Sequence, residues 1–231
     1  DRNALEAAMR LAEARRTASV PGNGQGAHVI AVALADTADS ATMTDVLRQA
    51  LAVGAERAIL VHDPALRQPD ALVHATVLQR LVAYLESVDV IICGHAMVDA
   101  DLGQVGPRLA QALDWPLASG AHQLTLAGHT LQAVLQVPDG FHQIEADLPA
   151  VVTVIAHSNQ PRYAPGATLI TVYRDLDALE VLSASAIGVG DLTPSVEWAG
   201  ESFPPERELG RMVEGDLASQ VTEIAGVLRK L

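Results

Sequence analysis

The stretch Gly94-His95-Ala96-Met97-Val98-Asp99-Ala100-Asp101-Leu102-Gly103-Gln104-Val105-Gly106-Pro107 gathers the residue types of this chain that are spaced for chemistry. A glycine-bearing loop that opens into a helix turns unpaired backbone N–H groups and the positive end of the helix dipole outward, which makes an anion site. Asp99 and Asp101 do not hold phosphate themselves; they suit loop N–H groups, a helix cap or ribose hydroxyls. The same residues also read as the plain capped start of a helix, and on residue chemistry alone the two readings stand even. His95 borders the loop and reads either as a phosphate contact or as a solvent-facing loop histidine. The eight histidines are scattered, with no pair at metal-ligand spacing beside a carboxylate or cysteine, so zinc is not expected. There is no Gly-x-Ser-x-Gly elbow and no Gly-Lys-Ser/Thr loop. A chain without a nucleophile or an acid/base pair suits a holder of a cofactor that does the chemistry itself.

The elements that must position this stretch are legible on both sides of it. Val88–Cys93 is short and β-branched, the pattern of a strand buried on both faces. The helix after it carries Val105, Leu109, Ala112 and Leu113. Upstream, residues 4–15 predict a helix and residues 21–26 a flexible linker. Val29–Leu34 predicts a strand, 42–53 a helix ended by Gly54, and Ala58–His62 a second strand. Pro69 opens a helix that runs through Leu85. Strands alternating with helices imply right-handed crossovers and a parallel sheet. Beyond Pro116 the pattern changes to alternation, with a hairpin turning near Ala127-Gly128-His129, a second turn at Asp139-Gly140 and a strand at 148–154.

Composition excludes several classes. A formal net charge of −13 argues against nucleic-acid binding, which needs clustered Lys and Arg. Aromatic residues are only 3%, so aliphatic side chains must build the core. No apolar run is long enough for a membrane span. The single cysteine, Cys93, excludes an internal disulfide, reads as a buried inert thiol, and gives a cytoplasmic expectation.

The run from Gly94 to Gly106, followed by Leu113-Asp114-Trp115-Pro116, resembles the nucleotide-binding loop of the electron transfer flavoprotein β-subunit family. The resemblance extends through Ala4–Ala8, Val29–Val32, Gln49–Val61, Leu148–Thr153 and Asn159–Tyr163. It implies a Rossmann-like (adenine nucleotide α-hydrolase-like) parallel sheet with a β-hairpin excursion and a C-terminal extended arm plus helix. It also implies a cofactor-binding set of Leu34, Asp99, Ala100, Asp101, Leu102, Gly103, Gln104, Val105 and Gly106. In that family this site holds AMP, or a second FAD in electron-bifurcating members. Gln104-Val105-Gly106-Pro107 is closer to the bifurcating pattern, and Gly103 leaves room for a longer pyrophosphate, so the reading tilts slightly to FAD. Leu102 and Gly103 match neither branch closely. Gln136 and His142 stand where the family has a basic residue and Glu or Gln.

Residues 1–190 are thereby expected to be the α/β nucleotide-binding domain, with the family's first strand absent ahead of Asp1. Residues 191–231 are expected to form an arm and helix that contact the FAD-carrying α subunit of a heterodimer. A dehydrogenase would donate electrons and dock near Tyr163 and Leu169, where residues 164–168 offer no large apolar anchor. Asn159–Tyr163 reads evenly as a run with a direct role or as a proline turn with a solvated Arg162 and a half-buried Tyr163. The alternatives are an electron-bifurcating, NADH-oxidising variant and a stand-alone adenine-nucleotide-binding module, which would have no use for the arm.

Overall fold

The computed structural model describes residues 1–18, 26–68, 70–96, 103–175, 177–197, 200, 202–206, 210 and 212–229. They form two units, Asp1–Glu197 and Trp198–Leu231.

In the first unit, α1 (Arg2–Ala18) is capped by Asp1, whose Oδ1 accepts the Ala4 N–H at 2.9 Å, and ends on Arg15 and Arg16, cations that suit a helix C-terminus. β1 (Ile30–Ala35), α2 (Ala41–Val53) and β2 (Arg57–His62) follow. Gly54 ends α2 at φ +130°, and a Cβ there would lie 2.8 Å from Met9 Cε, so the glycine also lets α1 approach. α3 (Ala71–Leu85) is capped by Asp70; Pro69, expected to open it, lies outside the described residues. β3 (Val90–Gly94), α4 (Val105–Leu113) and the strands β4 (Leu117–Ala127), β5 (Thr130–Val137), β6 (Gly140–Asp147) and β7 (Ala150–Val154) come next. α5 (Gly166–Arg174) and β8 (Glu180–Ser183) complete this unit's regular elements.

The strands form two sheets rather than the single parallel sheet expected. One is wholly parallel, in the order β1-β2-β8; the other is mixed, in the order β3-β7-β4-β5-β6. In the second, β3, β7 and β4 are parallel and the hairpin strands β5 and β6 extend the same sheet antiparallel. β7 is buried at every position and β2 from Ala58 to Val61, because each has a strand on both sides. Among the described residues β3 has a paired neighbour on one side only, and Val90–Gly94 are half-buried throughout, which corrects the expectation of a strand buried on both faces. β8 escaped the sequence reading because its four residues begin with Glu180 and hold only two apolar side chains.

The second unit contains α6 (Leu217–Leu228), capped by Asp216, whose carboxylate accepts the Ser219 N–H at 2.9 Å. Its apolar side chains Leu217, Val221 and Ile224 are exposed.

Candidate nucleotide site

Three parallel strands and one helix start meet at Thr153. β4 leaves its register with β7 between Ala118 and Ala121, so that Ser119 and Gly120 together face Thr153, a β-bulge. Such a bulge takes an N–H off the ladder, and a buried N–H needs another acceptor. The Gly120 N–H donates to Thr153 Oγ1 at 2.9 Å, and Gly120 lies at φ +77°. The same Oγ1 is 3.0 Å from His95 Nδ1 and 3.3 Å from Ser119 Oγ. His95 is further held by its N–H, which donates to the Val154 carbonyl at 2.9 Å. Thr153 is only 1% exposed, whereas the His95 ring lies in an exposed residue.

The start of α4 rests on this cluster. A Cβ at Gly106 would lie 2.3 Å from Thr153 Cγ2 and 3.2 Å from Cys93 Sγ, so only glycine lets the helix sit this close to the sheet. Gly103 lies at φ +54°, a left-handed conformation that favours glycine, and a Cβ there would be 3.4 Å from the His95 carbonyl. That conformation accounts for Gly103 without any need to make room for a longer pyrophosphate.

Gln104, the N-cap residue of α4, makes no side-chain capping bond among the described residues. Gln104 instead turns its Oε1 to Arg108, whose Nε and Nη2 donate to it at 3.1 and 3.0 Å. Pro107 carries no N–H, so the backbone donors of the helix start are Gln104, Val105 and Gly106, the arrangement that receives an anionic group. Arg108 was missed by sequence reasoning; its signal was its position four residues after Gln104, one helical turn from the loop. Thr153 and Ser119 were missed because nothing in a sequence marks a bulge.

The remaining expected residues fall in different places. Asp99, Ala100, Asp101 and Leu102 lie outside the described residues. Leu34, near the end of β1, packs against the core of the parallel sheet around Ile59 and Val61. No hydrogen bond among the described residues joins Leu34 to Gly103–Gly106. Burial pushes the Cys93 thiol up to about 11, and its Sγ–H faces the Val152 carbonyl at 3.6 Å, so it is an inert thiol.

In the segment after β7, Arg162 is not solvated as expected. Its Nε donates to Glu6 at 2.8 Å and its Nη2 to Glu13 at 3.1 Å, binding the segment after β7 to α1. Asn3 and Asn159 reinforce the joint by exchanging side-chain-to-backbone bonds at 2.8 and 2.9 Å. Tyr163, next in line, is 92% exposed rather than half-buried, since Arg162 takes the inward position. Leu169 is half-buried in α5, and Ile170 is the more exposed apolar residue beside it. Among the described residues no His, Cys, Asp or Glu cluster is suited to a metal, and no helix is long and apolar enough to cross a membrane.

Residues 1–174 match the family described as "Electron transfer flavoprotein domain". The chain is 32% identical over 228 residues to "Electron transfer flavoprotein subunit beta" of Sus scrofa, covering 97% of this chain and 83% of the relative. It is 31% identical over 188 residues to the protein of the same name in Bacillus subtilis (strain 168), covering 79% and 71%. It is 30% identical over 208 residues to "Electron transfer flavoprotein subunit beta, mitochondrial" of Oryza sativa subsp. indica, covering 90% and 76%.

Proposed function

Since this chain belongs to the electron transfer flavoprotein β-subunit family, we propose that it pairs with an α subunit, holds a nucleotide at the start of α4, and helps pass electrons from a dehydrogenase to a downstream acceptor. The observation that carries the nucleotide site is the start of α4, seated through Gly106 on Thr153 at the carboxyl end of parallel strands, where open α/β sheets take ligands. The donor set fits a phosphate. The backbone N–H groups of Gln104, Val105 and Gly106 would hold it, and Arg108 adds a cation one turn away. Asp99 and Asp101 suit loop N–H groups, a helix cap or ribose hydroxyls. FAD, when bound in the complex, supplies the electron transfer; this chain's residues bind and orient.

The nucleotide is AMP or a second FAD. The run Gln104-Val105-Gly106-Pro107 favours the electron-bifurcating reading, while the backbone reason for Gly103 removes one argument for the larger ligand. The exposed apolar residues Leu217, Val221 and Ile224 of α6 favour pairing over a stand-alone module, because a lone module has no use for such a helix. The rice relative's name carries the word mitochondrial, so a cytoplasmic location is part of this proposal, checked by fractionation. Co-expression with the α subunit tests the whole reading: a yellow 1:1 complex is expected, with one FAD and one AMP, or with two FAD. A stable flavin-loaded homodimer of this chain would overturn it.

A further inference from the structure

Asp70 is used beyond its role as a helix cap. Its Oδ1 accepts the Leu72 and Val73 N–H groups at 2.8 and 3.3 Å, which is ordinary capping of α3. Its Oδ2 accepts the backbone N–H and the hydroxyl of Ser195, the latter at 2.8 Å, and the Val196 N–H at 3.2 Å. Five donors thus converge on one carboxylate that is 1% exposed, and three of them come from a segment 125 residues away. Just before that segment, Val189 is buried and Leu192 packs on the core around Val73 and Val77. Just after it the first unit ends, at Glu197. No neutral cap does the same work: an Asn offers one acceptor oxygen where Asp70 uses two.

We infer that Asp70 is the anchor from which the C-terminal arm departs, and hence a positioning residue for the arm's engagement with the partner subunit. This inference rests on the pairing reading above. An arm rooted at one point meets its target as an intramolecular event, and a longer free tether lowers the effective concentration.

Asp70→Ser separates the two roles, because Ser caps a helix start well but is too short to reach Ser195. Val77→Ala, at a fully buried position of α3, serves as a variant destabilised without touching the anchor. Amide exchange at residues 195–197 and the dissociation rate of the α–β complex are measured for both variants and for the unsubstituted chain. Asp70→Ser is expected to speed exchange there and to speed dissociation about 10-fold, while Val77→Ala does neither. Unchanged exchange in Asp70→Ser, or faster exchange with unchanged dissociation, overturns the inference and leaves the pairing reading intact. If the unsubstituted chain forms no complex with the α subunit, both fall.

Discussion

Glu6 in α1 and Asp70 at the head of α3 are 3% and 1% exposed, and they hold segments 156 and 125 residues further along the chain. Glu6 does so through charge, with Arg162 and Arg10 donating at 2.8 and 2.7 Å. Asp70 does so through neutral donors, four of them backbone N–H groups. Burial alone would raise both carboxyls, yet both are held at about 2: Glu6 by its arginines, Asp70 by Ser195 and the N–H groups of Leu72 and Val73. The difference lies in what a substitution can remove. An arginine can be deleted, leaving a buried charge without its main partner; a backbone N–H survives nearly every substitution of the residue that carries it.

Acid should have the largest effect, because it acts on both anchors at once. Each carboxyl is depressed in the folded state, so its contribution is present above the ordinary carboxylate range and is lost as pH falls towards about 2. Denaturant midpoints measured from pH 7 down should drop steeply below about pH 5, and Glu6→Gln combined with Asp70→Asn should flatten that slope. Next comes Arg162→Met, expected to cost about 3 kcal/mol in chemical denaturation because Glu6 stays buried and is left with Arg10. Ser195→Ala should cost only about 1 kcal/mol, since two N–H donors to Asp70 Oδ2 remain. A loss at Ser195 as large as that at Arg162 would erase the distinction between the anchors. Smallest is Arg57→Ala: its pair with Glu180 at 2.6 Å lies at the surface, 49% and 34% exposed, and should be worth about 0.5 kcal/mol or less.

The same contrast explains how much could be read beforehand. Helices α1 to α4, the β2 and β7 core strands and the hairpin turns follow from local spacing, whereas α5 stands where a docking loop was expected. What local spacing could not give is pairing at long range. The half-burial of β3 depends on which strand lies beside it, and the bulge at Ser119–Gly120 on how β4 meets β7. Arg162 read as solvated because its partners, Glu6 and Glu13, stand at the opposite end of the sequence. Gly106 was legible as part of the loop, but not as the point where the helix approaches Thr153 and Cys93. Bulk at that position therefore disturbs the seat of the helix before it disturbs any ligand.

The claim that the start of α4 receives the nucleotide is tested most directly by hydrogen exchange on the α–β complex, stripped of the nucleotide of this subunit and then reloaded with AMP or FAD. The account predicts slower exchange at Gln104, Val105 and Gly106 on reloading, with α5 unchanged. Tight reloading that leaves those three amides exchanging as before would contradict it.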